Sequence, residues 1–152
     1  MPPRRHPYRP GRPERSAILA RWRTLIPHID TLVGHPPPAT DTAATATLLH
    51  GTGVFLIHQG QTQRAIAHLQ RALEDRVRVL GEDNPHTLRT RNNLAFAHQS
   101  AGDLGQAIPL FKQTNEDIVR VLGDSHPATR AVAANLAAVL GARGTGGPTF
   151  KK

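Results

Sequence analysis

Apolar side chains recur three and four residues apart along most of the chain, and this spacing predicts α-helices. Short turns rich in Gly, Pro and Asp separate the periodic segments. We predict about six consecutive helices, with a leading helix over residues 14–34 that Pro27 interrupts and a second helix over residues 41–59. The apolar positions of the third helix are Ala65, Ile66, Leu69, Ala72, Leu73, Val77 and Leu80.

The chain repeats itself with a period of 42 residues. Residues 61–102 align on residues 103–144 without a gap, and 15 positions are identical, where chance gives about three. The identical positions are Ala65/Ala107, Ile66/Ile108, Glu74/Glu116, Asp75/Asp117, 77–81/119–123, Pro85/Pro127, Thr87/Thr129, 93–95/135–137 and Gly102/Gly144. A stacked array of repeat units therefore becomes the predicted architecture.

Each repeat unit is interpreted as two helices joined by a tight turn. Asn84 offers a capping side chain, and Pro85 follows at the first helical position, where its missing N–H is harmless. Gly102 ends that helix and Asp103 caps the next. A third pair begins at residues 126–127, but its second helix is missing from the sequence.

Glycine and proline also mark the second helix of each unit. Gly81 and Gly123 follow the last apolar positions, and we expect the left-handed helical conformation that commonly ends helices there. Pro109 lies inside a second helix and removes one backbone hydrogen bond, so we expect a local kink.

Residues 79–111 (VLGEDNPHTLRTRNNLAFAHQSAGDLGQAIPLF) and 121–137 (VLGDSHPATRAVAANLA) carry a family resemblance. They resemble tetratricopeptide repeats of the 42-residue, kinesin-light-chain-like type, in which a longer second helix and an LGxxHPxT turn extend the usual period of about 34 residues. The family's packing positions correspond to Gly53, Gly60, Ala65, Leu69, Ala72, Ala95, Gly102, Ala107 and Phe111. Residues 22–32 are also similar to the linker that precedes such repeats in the C-terminal region of actinobacterial signalling NTPases.

The resemblance covers roughly residues 41–142 and implies an all-α, right-handed helical-repeat solenoid of antiparallel helix pairs, about 2.5 repeats long. It implies a non-catalytic scaffold that binds a partner peptide or helix on its concave face. An asparagine before the Leu-Ala pair holds extended peptides in this family, and that position corresponds to Asn93 and Asn135. An equal alternative is that both amides only organise the stack. The neighbouring candidates for partner binding are Arg89, Asn92, Phe96 and Gln99.

The net charge of +8 lies at the ends of the chain. Residues 1–23 hold seven Arg and one Glu, residues 24–142 hold nine basic and ten acidic side chains, and residues 143–152 add three basic ones. The Arg/Pro-rich arm (1–13) and the Gly/Lys tail (143–152) are predicted to be disordered, because neither can bury enough apolar surface. As the expected partner, we therefore rank a protein or peptide first and a nucleic acid, bound by the basic arm, second.

Motifs for catalysis and for metal binding are missing from the sequence. There is no Cys and no phosphate-binding GxxxxGK[ST] loop. His50, His58 and His68 are eight and ten residues apart, which fits surface or groove positions better than a helical zinc pair. Glu74-Asp75 and Glu116-Asp117 are expected on solvated helix faces. We therefore predict a cytoplasmic, non-enzymatic protein without cofactor, metal or membrane span.

The last helix lacks a following partner helix. We expect Val132, Leu136 and Val139 to be exposed there, whereas terminal repeats normally need a polar outer face. Two interpretations remain open: the chain is a remnant of a larger signalling NTPase, or a second copy covers this helix in a homodimer.

Overall fold

The computed structural model describes residues 13–34 and 42–144, and these ranges form six α-helices. They are α1 (Pro13–Gly34), α2 (Ala43–His58), α3 (Thr62–Leu80), α4 (Pro85–Ser100), α5 (Leu104–Leu122) and α6 (Pro127–Gly144). The predicted arm (1–13), except its last residue, lies outside the described residues. The same is true of the predicted tail (143–152) after residue 144, the end of α6.

Each helix from α2 to α5 packs against the next one in the chain, and α1 lies against both α2 and α3. The described residues contain no strand. The prediction of an all-α helical-repeat solenoid is therefore confirmed. The first helices of the units, α2, α4 and α6, also contact one another in order, so that they form one side of the stack.

Small side chains are buried between the packed helices. Ala65, Ala72, Ala95 and Ala107 are all fully buried. Between α4, α5 and α6, two of these alanines pack with larger neighbours in a cluster made of Ala95, Ala107, Ile108, Phe111 and Val139. An alanine brings the helix axes close together, and a bulky neighbour then fills the remaining volume. Successive repeat units thus share the positions of their buried alanines as well as their helices.

The leading helix α1 completes the core at the N-terminal end of the described array. Ile26 packs with Leu56 and Ala65, and Ile29 packs with Leu49 and Ala72. Trp22 stacks on Phe55 with ring centroids 5.6 Å apart. The expected interruption at Pro27 is wrong, because α1 continues through this residue. Pro27 is exposed, away from the apolar stripe that α1 buries.

A charged cluster also joins α1 to α3. His68 Nε2 lies 2.7 Å from Asp30 Oδ1, and Arg64 donates a hydrogen bond to the same carboxylate. His68 is buried, so the expectation of a surface or groove histidine is wrong for it. Together the two contacts favour the charged form of Asp30 and hold its pKa below the ordinary value, although partial desolvation opposes them.

The turn inside each unit confirms the predicted stop signals. Gly102 has φ of +81°, its N–H donates to Gln99 O at 3.0 Å, and Asp103 N donates to His98 O at 2.9 Å. This pair of bonds is a Schellman motif, which satisfies carbonyls that the helix end leaves free. The Asp103 side chain then accepts a hydrogen bond from Gln106 N at 3.1 Å and caps α5.

The turn between units differs from the expectation in one respect. Gly81 (φ 85°, ψ 165°) and Gly123 (φ 81°, ψ 164°) have positive φ but extended ψ, so the left-handed helical stop is wrong. This region of backbone space is essentially limited to glycine. The chain leaves the second helix in extended form, and Asn84 then caps α4 by accepting a hydrogen bond from His86 N, as predicted. Helix α5 continues through Pro109, and the kink that we expect there remains a prediction.

The expected exposure of the last helix is wrong. Val132 and Val139 are buried, and Leu136 is partly buried against the same cluster as Val139. Val132 packs with Leu88 and Ile118, so the apolar stripe of α6 is already covered by α4 and α5. The outward side of α6 consists mainly of alanines with Leu140 exposed. We expected a second copy of the chain there because the stripe was thought to be exposed, and its burial removes that reason.

The carboxylate pairs Glu74-Asp75 and Glu116-Asp117 are less exposed to solvent than expected. Asp75 is buried and contacts two guanidinium groups, with Arg71 Nε at 3.4 Å and Arg78 Nη2 at 3.2 Å. Asp117 accepts from Arg91 Nη1 at 2.6 Å and from Arg120 Nη2 at 2.9 Å. The prediction of solvated faces is wrong for these two aspartates, because arginines of the same and neighbouring helices enclose them. Glu74 and Glu116 are exposed, as expected.

Replacing Gly53 by Ala should destabilise the protein. A Cβ at this position lies 2.5 Å from Leu69 Cγ and 3.3 Å from Ala65 O, so the buried Leu69 side chain or the spacing of α2 and α3 must shift. We expect a loss of about 1–3 kcal/mol in the free energy of unfolding, measured by urea denaturation.

The matched control is Gly141→Ala in α6, where the added Cβ meets nothing within 4 Å. This change should stabilise by about 0.5–1 kcal/mol through helix propensity. Equal effects of the two substitutions would contradict a close-packing role for Gly53.

Candidate functional site

Two adjoining clefts lie along α4, one shared with α2 and α6 and the other with the end of α5 and the start of α6. The central cleft has a volume of about 260 Å³ and is lined by Val54, Ile57, His58, Asn92, Asn93, Phe96 and Asn135. The N-terminal cleft, of about 360 Å³, lies at the first turns of α4 and α6 and is lined by Pro85, His86, Arg89, Asn92, Ile118, Leu122, His126, Ala128, Ala131 and Val132. Asn92 borders both clefts, so we treat them as one groove.

Five of the six candidate binding residues come together in this groove. Asn92, Asn93, Phe96 and Asn135 line the central cleft, and Arg89 lines the N-terminal one. Four of these five lie on α4 at positions 89, 92, 93 and 96, a spacing that places them on one helix face. Gln99 is half-buried near the end of α4 and lines neither cleft.

The asparagines also make hydrogen bonds between helices. Asn135 Nδ2 donates to Asn92 Oδ1 at 3.3 Å, which links α6 to α4. Asn93 Nδ2 lies 3.5 Å from His50 Nε2, which links α4 to α2. A role in the stack and a position in the groove are therefore compatible, because an amide has two donors and a carbonyl acceptor.

A buried hydrogen-bond network determines how Asn93 is oriented. Thr90 Oγ1 donates its single proton to His86 O at 2.9 Å and accepts from Arg76 Nη1 at 2.5 Å. His50 Nδ1 lies 3.2 Å from the same oxygen and donates to it in the tautomer that leaves His50 Nε2 free to accept from Asn93 Nδ2.

The tautomer of His50 follows from this arrangement. With the proton on Nδ1, His50 Nε2 is an acceptor and takes a hydrogen bond from the Asn93 amide nitrogen. The Asn93 carbonyl oxygen is left available for a ligand N–H, and the Asn92 amide nitrogen is left as a donor. The groove thus offers both of the groups that a peptide main chain requires.

The electrostatic surroundings of His50 support the neutral form of its ring. Burial, together with the positive charges of Arg76 and Arg89 and the neighbouring His86, lowers the pKa of His50 from 6.5 to about 4. His50 is buried, so the sequence-based expectation of a surface or groove position is wrong for it. His50, Thr90 and Arg76 were not among the candidate binding residues, because only the contact between α2, α3 and α4 brings them together.

The histidines at the starts of α4 and α6 differ, because His126 lies in the turn before α6, as predicted, whereas His86 is the second residue of α4. His86 and His126 are exposed, and His126 Nδ1 accepts a hydrogen bond from Ala128 N at 3.1 Å. Within residues 13–34 and 42–144, no three His, Asp or Glu side chains are grouped so that they could hold a metal ion. In the same ranges, no helix is long and apolar enough to cross a membrane.

Comparison with known families agrees with this architecture. The sequence model described as "Tetratricopeptide repeat" matches residues 44–116, which cover α2, α3, α4 and most of α5. Together with the helical repeat, the match supports a tetratricopeptide repeat protein. Repeats of this family generally mediate protein–protein interactions and are typically non-catalytic. No curated protein matches the chain.

The stability of the protein should depend on His50 in mildly acidic solution. In the unfolded chain His50 takes up a proton near pH 6.5, whereas in the folded protein its pKa is about 4. Protonation therefore favours the unfolded state, and the free energy of unfolding should fall as the pH decreases from 6.5 to 4.

Urea denaturation across this pH range measures the effect, with His50→Gln as the comparison. The variant keeps a neutral polar side chain but has no titrating ring, so its stability should change less with pH. An identical pH dependence in both proteins would contradict the assignment of a depressed pKa to His50.

Proposed function

Because residues 44–116 match the tetratricopeptide repeat, we propose that this protein is an interaction module that binds an extended peptide segment of a partner protein. The ligand lies along the groove of α2, α4 and α6. The observation that carries the proposal is the group of three asparagines in the central cleft, beside the exposed ring of Phe96.

The chemistry of the groove suits a main chain better than a single side chain. Asn92 and Asn93 offer a donor and an acceptor after their interhelical bonds are made. Val54 and Ile57 on α2 and Phe96 on α4 add apolar surface, so that the side chains of an extended ligand gain by burial. We infer that the groove recognises the main chain of the peptide through its asparagine side chains. The apolar side chains of Val54, Ile57 and Phe96 then add selectivity for the side chains of the peptide.

The finer classification belongs to the same proposal. The 42-residue period and the turns at residues 80–87 and 122–129 support assignment to the kinesin-light-chain-like type. The absence of Cys from the sequence agrees with a reducing compartment such as the cytoplasm. The relation to actinobacterial signalling NTPases stays a prediction. The basic arm as a nucleic-acid contact also stays a prediction, since residues 1–12 lie outside the described part of the chain.

Removing the two asparagine amides should reduce peptide binding more than stability. We expect Asn93→Ala to weaken binding by about tenfold, because a hydrogen bond to a desolvated ligand contributes about 1–1.5 kcal/mol. We expect Asn135→Ala to weaken it to a similar degree, because Asn135 Nδ2 holds the Asn92 carbonyl and so orients the Asn92 donor. The measurement selects ligands from a random peptide library on the immobilised protein and compares their affinities for each variant.

Gln113→Ala is the control, because Gln113 is an exposed amide on α5, outside the groove. Thermal unfolding of every variant is recorded in parallel. Loss of stability without a specific loss of peptide affinity would assign both asparagines to the stack alone.

A further inference from the structure

Helix α1 is attached to the array along a single apolar stripe. Among its described side chains, only Ile26 and Ile29 are buried, whereas seven side chains of α3 are buried. Segments that bury few side chains open at a lower cost in free energy than the core of a domain. We therefore expect α1 to leave the array more easily than the helices α2 to α6 leave one another.

The residue of α3 that meets α1 differs in chemistry from its counterpart in the next unit. His68 corresponds to Leu110 of α5 in the 42-residue repeat. Leu110 packs against a buried apolar cluster of α3 and α4, whereas His68 Nε2 lies 2.7 Å from Asp30 Oδ1 on α1. A polar contact thus replaces an apolar one where α1 meets α3.

The buried ring of His68 also has an unsatisfied nitrogen. His68 is 1% exposed, and its Nδ1 has no hydrogen-bond partner within the described part of the chain. A buried polar atom without a partner opposes the packing that buries it, because water would otherwise bond to it. The contacts of Asp30 stabilise docked α1, and this nitrogen partly offsets them.

The polar attachment of α1 depends on the charge of Asp30. One oxygen of its carboxylate meets His68 and the other accepts from Arg64, which also donates to Gln61, the N-cap residue of α3. Among the described carboxylates, Asp30 is the one that pairs with these two side chains. Without its charge, α1 keeps the apolar stripe but loses the charge-assisted hydrogen bonds to α3.

The apolar contacts of α1 continue into one wall of the groove. Ile26 packs with Leu56 and Ala65, and Ile57 of α2 packs against this cluster. Ile57 is also one of the residues that line the central cleft. Release of α1 therefore removes packing from behind the α2 wall of the central cleft.

We propose that α1 is a detachable helix, that the Asp30 carboxylate holds it on α3 through His68 and Arg64, and that its release loosens the α2 wall of the central cleft. The helices α2 to α6 stay folded when α1 detaches. The effect of α1 on ligand binding rests on the proposed peptide-binding function. Docked α1 and a peptide in the central cleft then stabilise each other, because the coupling between two sites is reciprocal.

Hydrogen exchange and Trp22 fluorescence measure the docking of α1 in the full chain without any ligand. Trp22 is the single tryptophan of the sequence, and its ring stacks on Phe55 when α1 is docked. Asp30→Asn should speed exchange in α1 and in residues 54–58 by about tenfold, the change expected for the loss of one charge-assisted hydrogen bond. Acrylamide should then quench Trp22 more strongly, and exchange in α5 should stay unchanged.

Asp83→Asn is the matched control, since it removes the same charge from a carboxylate that pairs with Arg120 of α5. It should leave Trp22 quenching and exchange in α1 unchanged. His68→Leu introduces the side chain found at position 110, and it should slow exchange in α1 because the unsatisfied nitrogen is removed. Circular dichroism should show that each variant is folded.

The outcomes separate the detachment of α1 from the peptide-binding function. Equal effects of Asp30→Asn and Asp83→Asn on α1, or exchange of α1 at the rate of α5 in every variant, overturn the detachment. Faster exchange in α1 without a change in residues 54–58 overturns its link to the central cleft.

The link to ligand binding has its own measurement. Peptides selected on the unaltered protein should bind Asp30→Asn more weakly and should slow the exchange of α1. Selected peptides that bind Asp30→Asn and the unaltered protein equally overturn this link and leave peptide binding intact. A library that yields no binder overturns the proposed function, and the exchange rates alone then decide whether α1 detaches.

Discussion

The close approach of neighbouring helices at small residues is the constraint on which the rest of this structure depends. Gly53 has no room for a Cβ against Leu69, and Ala65, Ala72 and Ala95 are fully buried. Small residues set short interhelical distances, and large residues such as Phe111 fill the volume between them. Since the same pattern recurs after 42 residues, each added pair meets the previous one in a similar way. The groove follows from this repetition, because the first helices of successive units become neighbours.

The groove is connected to the stack by polar contacts. The hydrogen bonds from Asn93 to His50 and from Asn135 to Asn92 cross from one unit to the next. Behind them, Thr90 links His50 to Arg76 and to the first turn of α4. A buried network of this kind is most stable when every group has a partner. The arrangement that holds adjacent units together therefore also orients the atoms that remain free for a ligand.

Acidic and basic residues are distributed unevenly among the helices, and the overall composition does not show this. The net charge of +8 belongs mainly to the ends of the chain, and residues 24–142 hold nearly equal numbers of acids and bases. Within the array, the acids lie on α1, α3, α5 and the turns, where arginines such as Arg91 and Arg120 engage them. Arg89 and the buried Arg76 stay unneutralised by described carboxylates beside the groove. A nearly neutral array can thus have one face with a positive potential.

The sequence by itself determined the helices, their caps and the repeat, because apolar periodicity, Asn84, Gly102 and Asp103 act over a few neighbouring residues. Five of the six candidate binding residues also line the groove, because two successive turns of α4 carry four of them on a common face. Only the tertiary structure decided which side chains are buried: Val132, Val139 and Asp75 looked exposed, yet neighbouring helices cover them. The partners of His50 were equally undetermined, because Arg76 and Thr90 are distant in sequence. Burial and hydrogen bonding depend on contacts between helices, and a periodic pattern gives the face of a helix without saying what packs against it.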